Sequence, residues 1–185
     1  MLEAPNLILI GSAGRNSGKT FLAVELIKRL AVPLAALKIT SIEKLDGKCQ
    51  RGGRGCTACS LNTDFCIEEE LSKNGQPPEK DTSLLLAAGA KKVFWLRCLR
   101  SKLEQGYAAF SEKIAGPPPY PLVICESNSL RKIIKPKLFI MIMNTEGGIK
   151  KSASDVACMA DITLQKNFTD AEINNIVSMC HKELL

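Results

Sequence analysis

The chain contains short runs of apolar residues that lack polar alternation, a pattern typical of strands buried on both faces of a parallel sheet. Residues that favour turns, or charged residues, border most of these runs. Together with two segments of mixed character, the runs predict six strands: Leu7–Ile10, Leu34–Thr40, Lys92–Arg97, Leu122–Cys125, Leu138–Met143 and Asp161–Leu164.

Amphipathic segments between these runs predict helices. They are Gly18–Leu30, a helix from Asp81 or Thr82 to Ala88 that ends at Gly89, Ser101–Ala115, Ser152–Met159 and Thr169–His181. Residues 44–66 are irregular in pattern, and the polar stretch Ile67–Lys80 predicts a loop or a short helix. The alternation predicts an α/β fold, a three-layer sandwich around a mostly parallel sheet. The length suits a single domain over residues 1–185.

The sequence after the first predicted strand has the order of a phosphate-binding P-loop. Leu7–Ile10 leads into Gly11–Thr20, which ends in Gly-Lys-Thr, and the first predicted helix follows at once. Strand, small-residue turn and helix is the arrangement that such a loop requires. The predicted nucleotide contacts are Ala13, which replaces the usual first glycine, Gly14, Arg15, Asn16, Ser17, Gly18, Lys19 and Thr20.

Each part of this motif has a physical role. Gly18 lets the backbone turn closely around an anion, and the N–H groups at the start of the helix then point at the phosphates. Lys19 supplies a positive charge to the outer phosphates, which makes it a candidate catalytic residue. The hydroxyl of Thr20 is placed to bind Mg²⁺. We therefore expect ATP or GTP to bind together with Mg²⁺.

Polar residues near the ends of other strands lie where α/β proteins bind ligands. The carboxylate of Glu126 is a candidate Mg²⁺ ligand or a catalytic group that polarises the attacking water; the alternative is an exposed carboxylate at a strand end. Asn128 is a weaker candidate for a supporting hydrogen bond. Asn144 is a candidate contact for the nucleotide base. Lys38 either meets a phosphate or an anionic substrate, or extends from the sheet into solvent.

Charge and composition limit the partners of the chain. The formal net charge is +6, and aromatic residues are sparse, so a surface that stacks single-stranded nucleic acid is not indicated. No apolar run approaches the ~20 residues that span a bilayer, and the N-terminus lacks the pattern of a signal peptide. We expect a cytoplasmic protein without a membrane partner, whose positive charge serves solvation and anionic phosphates.

Four of the eight cysteines cluster in an insert at about residues 44–70, in the pattern Cys49-x6-Cys56-x2-Cys59-x6-Cys66. In a cytosolic chain such a cluster indicates metal binding rather than disulfides. The single close pair favours a [4Fe–4S] cluster over a structural Zn²⁺, which more often uses two close pairs; redox thiols without metal are a third alternative. The remaining cysteines are expected to be small buried side chains: Cys98, Cys125, Cys158 and Cys180.

Three features resemble the P-loop family of molybdopterin-guanine dinucleotide biosynthesis protein B. Arg15–Thr20 is similar to its basic-Asn-Ser-Gly-Lys-Thr loop. The strand Leu34–Thr40 carries Lys38 near its end, like that family's Ile-Lys-His-Thr segment. Lys80–Thr82, followed by Ala88–Ala90, is similar to its Lys-Asp-Ser/Thr and Ala-Gly-Ala stretch. The resemblance covers about residues 5–165, and the four-cysteine insert is an addition to it.

The resemblance implies the P-loop NTPase fold and nucleotide binding. It also implies that Asp81 orients Mg²⁺ or a substrate; the alternative is a plain helix cap. The wider class includes nucleotide-dependent metallocentre assembly factors and enzymes similar to dethiobiotin synthetase. Members of this class often complete their site at a dimer interface, so a homodimer is compatible with the resemblance.

Three functions follow as hypotheses. The first is an accessory factor in metallocofactor assembly that hydrolyses ATP or GTP slowly, with a recipient metalloenzyme as partner and with nucleotide binding coupled to the cysteine insert. The second is a GTP-binding adaptor in molybdopterin dinucleotide biosynthesis, whose partner is a cofactor-synthesis protein and whose cysteines hold structural zinc. The third is a small-molecule kinase or an ATP-dependent ligase.

Overall fold

The computed structural model describes residues 1–14, 16–43, 61–71, 80–115, 120–144, 148–149 and 151–183. Seven strands lie in these ranges: β1 (Leu2–Ser12), β2 (Leu34–Ile42), β3 (Phe65–Glu69), β4 (Lys92–Leu99), β5 (Leu122–Glu126), β6 (Ile134–Met143) and β7 (Ile162–Gln165). Five α-helices accompany them: α1 (Lys19–Leu30), α2 (Asp81–Ala87), α3 (Leu103–Ile114), α4 (Lys151–Ala157) and α5 (Asp170–Glu183). The predicted α/β class is confirmed.

One sheet contains all seven strands, in the order β3-β4-β2-β5-β1-β6-β7. Every neighbouring pair is parallel except β3 and β4. The predicted, mostly parallel sheet is therefore confirmed. Because β1 lies between β5 and β6 and all three are parallel, the loops that follow them lie side by side at the carboxyl ends of the strands.

The hydrophobic core has two parts, one on each face of the sheet. In β1, Ile8 and Ile10 belong to one cluster and Leu7 and Leu9 to the other, because successive side chains of a strand point to opposite faces. The first cluster includes side chains of α1, α2 and α5, and the second includes side chains of α3 and α4. Helices therefore pack on both faces, which is compatible with a three-layer sandwich.

The strand β3 was not predicted: irregular chain was expected up to residue 66, and a loop or a short helix from Ile67. Phe65 and Ile67 pack against the second core cluster, and Cys66 alternates with them. Three consecutive glutamates, Glu68–Glu70, hide this alternation in the sequence. Charged side chains are common on an edge strand because they discourage pairing with other chains. Residues 44–60 of the insert lie outside the described residues.

The scattered cysteines differ in exposure. Cys98, Cys125 and Cys180 are buried, as expected. Cys158 is exposed, so the expectation was wrong for this residue: it follows the last residue of the short helix α4 and faces solvent. No helix in the described part of the chain is long and apolar enough to cross a membrane.

Thiol alkylation should distinguish these cysteines. Burial raises the pKa of Cys98 to about 11, and that of Cys125 well above the usual value. Since the thiolate is the nucleophile, iodoacetamide at pH 8 should modify Cys158 in the folded protein and leave Cys98 and Cys125 unmodified. Peptide mapping by mass spectrometry measures this, with unfolded protein as the control. Equal rates at Cys98 and Cys158 before unfolding would contradict the described burial.

Candidate functional site

The loop between β1 and α1 uses two left-handed backbone positions. Gly18 has a φ of 89° and Asn16 a φ of 51°; glycine adopts this region readily, and asparagine tolerates it better than most residues. The helix α1 then begins at Lys19 with no side-chain cap from Gly18. The N–H groups of a first helical turn have no intrahelical acceptor, so this geometry favours an anion. Arg15 lies outside the described residues.

The side chain of Lys19 folds back over this loop. Its Nζ donates a hydrogen bond to Oγ of Ser12 at 2.7 Å, and that hydroxyl donates to the carbonyl of Gly14 at 2.9 Å. Ser12 is buried, and the sequence analysis did not identify it. Its position as the last residue of β1 is the signal that marks it. The charge of Lys19 is thereby held at the loop itself.

Asn128 holds the end of β1 from the neighbouring loop. Its Oδ1 accepts from the backbone N–H of Ser12 at 2.8 Å, and its Nδ2 donates to the carbonyl of the same residue at 2.9 Å. The two bonds link the loop after β5 to the start of the predicted phosphate-binding loop. Asn128 was a weaker candidate for a supporting hydrogen bond, and the structure shows that its partner is the backbone of Ser12.

Gly11 has no side chain, and this leaves room for the hydrogen bonds between Asn128 and Ser12. Substitution of Gly11 therefore gives a testable prediction. A Cβ atom at Gly11 would lie 2.8 Å from Oδ1 of Asn128 and 2.9 Å from the ring of Phe139. Gly11→Ala should therefore reduce the free energy of unfolding by about 1–3 kcal/mol, the usual cost of overpacking. Urea denaturation measures the effect. In an Asn128→Ala background the cost should be smaller, because one of the close contacts is gone; a cost below ~0.5 kcal/mol in the wild-type background would show that the neighbours move aside easily.

Thr20 and Glu126 meet at the centre of the site. The strand pairing places Glu126 beside Ile10 of β1, near the start of α1. The hydroxyl of Thr20 donates to Oε2 of Glu126 at 3.2 Å. Glu126 is only 3 % exposed, so the alternative of an exposed carboxylate at a strand end does not apply.

The second oxygen of this carboxylate is buried without a hydrogen-bond partner in the described residues. An unpaired buried polar atom costs of order 1–3 kcal/mol, and more when it is charged. Such atoms concentrate at sites that bind a ligand or an ion. A hydroxyl beside a buried carboxylate oxygen is a donor set that suits Mg²⁺.

Lys38 and Asp81 complete a charged cluster around Glu126. Nζ of Lys38 lies 3.6 Å from Oε2 of Glu126 and forms an ion pair with Oδ2 of Asp81. Asp81 is the first residue of α2, and its carboxylate is used in this ion pair. Lys38 is mostly buried, so it does not extend from the sheet into solvent.

A cavity of about 700 Å³ lies over these residues. Lys19, Thr20, Lys38, Asp81 and Glu126 line it, together with several hydroxyl-bearing side chains. Ligand pockets commonly have this size. Arg100 also lines the cavity and was not identified from the sequence, although it directly follows the strand β4 at the ligand-binding edge.

Asn144 follows β6, next to the predicted phosphate-binding loop. A Cβ atom built at Gly14 would lie 3.6 Å from Nδ2 of Asn144, so the two residues are close neighbours. Residues 145–147 lie outside the described residues. The structure thus places Asn144 beside Gly14 of the predicted phosphate-binding loop, and its predicted contact with the nucleotide base stays a prediction.

The cysteine cluster is only partly described. Cys66 lies in β3 and pairs in register with Arg97 of β4. Cys49, Cys56 and Cys59 lie outside the described residues. Within the ranges that are described, no group of three or more His, Cys, Asp or Glu side chains is arranged to hold a metal ion.

In comparisons with known proteins, no family model, no curated protein and no solved structure matches this chain. The resemblance to the molybdopterin-guanine dinucleotide biosynthesis family stays a prediction from its three sequence features.

Proposed function

We propose that this chain is a P-loop protein with a three-layer sandwich fold, which binds ATP or GTP with Mg²⁺ and hydrolyses the nucleotide slowly. One observation carries the proposal. The residue after the Gly18–Lys19 turn presents a hydroxyl that lies 3.2 Å from the buried carboxylate of Glu126. The turn, the lysine and the hydroxyl at the start of α1 thus lie beside the carboxylate at the end of β5, which supports the proposal.

In this proposal the positively charged group binds the phosphates, and the hydroxyl and the carboxylate bind the metal ion. The turn at Gly18 and the ammonium group of Lys19 bind the phosphates. Thr20 and Glu126 are the residues that would hold Mg²⁺, which neutralises charge on the phosphate oxygens when it is bound. Lys38 balances the charge of Glu126 and is itself held by Asp81. In this proposal Asp81 acts through Lys38, and Asn144 contacts the base.

The proposed reaction is tested by phosphate release. Purified protein should release inorganic phosphate from Mg·ATP or Mg·GTP at about 10⁻⁴–10⁻² s⁻¹, as P-loop proteins do without an activating partner. Chelation of the metal should abolish the release. Release that is unaffected by EDTA, or absent with both nucleotides, would contradict the proposed hydrolysis.

The proposed role of the hydrolysis is to assist metallocofactor assembly through the cysteine cluster. The described residues on either side of the segment 44–60 lie near the carboxyl ends of β2 and β4, where the cavity is. Glu43 forms an ion pair with Arg100 at 2.7 Å, and Asp64 forms one with Lys102 at 3.4 Å. Arg100 also lines the cavity, so a nucleotide that reaches Arg100 would be linked through it to Glu43, the last described residue before the cysteine segment. This supports coupling between nucleotide state and the cysteines.

Metal and sulfide analysis of protein purified without oxygen tests this second part. The proposal predicts about four iron and four sulfide per chain with broad visible absorption. Cys56→Ser should lose the absorption, while Cys158→Ser should keep it, because Cys158 is outside the cluster. Stoichiometric zinc in a colourless protein would instead support the adaptor with a structural zinc site.

A second candidate, a small-molecule kinase or an ATP-dependent ligase, is favoured by the extent of the cavity. It continues from Glu126 past Thr40 and Ser41 to Arg100, which leaves room for a second substrate. In that case a small molecule, rather than a recipient protein, should strongly stimulate phosphate release.

A further inference from the structure

A large aromatic side chain stands exposed beside the predicted phosphate site. Phe21 lies in the first turn of α1, directly after Thr20, and is 57 % exposed. Burial of a phenylalanine ring is favourable in free energy, so a ligand that covers Phe21 would gain binding energy. Of the described residues that line the cavity, Phe21 is the one aromatic residue.

The ring of Phe168 packs against the ring of Phe21. The centroids of Phe21 and Phe168 are 5.9 Å apart, with the rings inclined by 36°. Phe168 packs partly against the first core cluster, and its ring edge lies 3.3 Å from the position that a Cβ atom would take at Gly18. The aromatic pair is therefore continuous with the turn that precedes Lys19.

The segment that carries Phe168 is fixed at the start of α5. The backbone N–H of Thr169 donates to the carboxylate of Glu172 at 2.7 Å, and the backbone N–H of Glu172 donates back to the hydroxyl of Thr169 at 3.3 Å. This capping box orders the chain at the helix start. Asp170 adds an ion pair with Arg29 of α1 at 2.5 Å. The capping box and the ion pair thus hold the start of α5, and with it Phe168, next to α1.

We propose that Phe21 is the platform on which the base of the bound nucleotide stacks, and that Phe168 is a positioning residue that supports its ring. This inference rests on the proposed function, because it assigns a subsite for the base of the same nucleotide. Apart from Phe21 and Ile39, the side chains that line the cavity are polar or charged, among them Lys38, Arg100 and Ser41, and Phe21 is the one described lining residue with a ring. Every nucleobase has a π face, so the platform recognises a base without selecting one.

The test compares ligands with and without a base. Isothermal titration calorimetry is run with Mg·ATP, Mg·GTP and Mg·tripolyphosphate on wild-type protein and Phe21→Ala. We expect Phe21→Ala to bind both nucleotides about tenfold or more weakly, since one aromatic–base stack is worth about 1–3 kcal/mol. Its affinity for tripolyphosphate should change by less than about twofold. Phe21→Tyr should restore nucleotide binding, and Leu84→Ala, which truncates an exposed apolar residue of α2, should have no effect.

A spectroscopic signature identifies stacking directly. The fluorescence of an etheno-adenine triphosphate should be quenched on binding to wild-type protein and to Phe168→Tyr, and much less on binding to Phe21→Ala or Phe168→Ala at saturation. Unchanged nucleotide affinity in Phe21→Ala, or an equal loss with tripolyphosphate, would overturn the inference alone. Wild-type protein that binds neither tripolyphosphate nor nucleotide would overturn the proposed function as well. Nucleotide binding insensitive to Phe21, together with loss of a protein partner in Phe21→Ala, would assign the ring to an interface instead.

Discussion

Lys19→Ala is expected to weaken binding of Mg·ATP and Mg·GTP by about 10–100-fold, the equivalent of a lost charge-assisted hydrogen bond. Phosphate release should fall further, by about 10²–10³-fold, because negative charge shifts towards the leaving-group oxygen during transfer and Lys19 would stabilise it there. The physical reason is local. The ammonium group of Lys19 donates a hydrogen bond to Ser12 at the loop, so its charge lies beside the predicted phosphate site.

A matched lysine provides the control for this substitution. Lys28 lies in the same helix α1, is exposed and pairs with Glu25 at 3.3 Å. Lys28→Ala removes an equal charge from the same element, and we expect affinity within about twofold of wild type, since exposed ion pairs are worth little. Equal losses in the two variants would mean that net charge, not the position of Lys19, determines binding.

Glu126→Gln is expected to remove the Mg²⁺ dependence of nucleotide binding and to reduce phosphate release by about 10²–10³-fold. The amide has the shape of the carboxylate but no charge, so it is a poor ligand for Mg²⁺. Wild-type protein should bind nucleotide more tightly with Mg²⁺ than with EDTA. The variant should bind equally under both conditions, because the buried oxygens near Thr20 no longer attract the cation.

Folding must be separated from metal binding in this experiment. Glu126 is buried beside Lys38, so thermal unfolding of the variant should be measured alongside. The conservative control is Glu25→Gln, which neutralises a carboxylate of α1 that pairs with Arg29 at 2.9 Å. A folded Glu126→Gln variant that keeps the full Mg²⁺ effect would contradict the assignment of this carboxylate.

Much of the fold was predictable because its core strands are buried on both faces. In β5 all five residues are buried, and in β2 the first four are, so an uninterrupted apolar run marks each strand in the sequence. The edge strand β3 was missed for the opposite reason. Only Phe65 and Ile67 face the core there, and two side chains among charged neighbours do not make a recognisable period.

The candidate site residues could be predicted where they are adjacent in the sequence. Gly18, Lys19 and Thr20 are adjacent in sequence, so their spacing already indicates phosphate chemistry. Glu126 was a candidate because it follows a predicted buried strand, where α/β proteins bind ligands. By contrast, the ion pair of Lys38 with Asp81 and the clamp of Asn128 on Ser12 join residues 43 and 116 positions apart. Such contacts depend on packing that a pattern along one chain does not contain.

The aromatic support of Phe21 illustrates the same limit. Phe168 is far from Phe21 in the sequence, and neither residue belongs to a motif. Their proximity depends on how α5 packs against α1, which the ion pair between Arg29 and Asp170 helps to fix.

The central claim is that Mg²⁺-bound nucleotide occupies the cavity at Lys19, Thr20 and Glu126. Titration calorimetry of wild-type protein with slowly hydrolysed analogues of ATP and GTP, each with Mg²⁺ and with EDTA, tests it most directly. We expect one nucleotide per chain, with a dissociation constant between about 1 μM and 1 mM for at least one analogue and weaker binding in EDTA. No detectable heat with either analogue for folded protein, at concentrations up to about 1 mM, would mean that the cavity is not a nucleotide site.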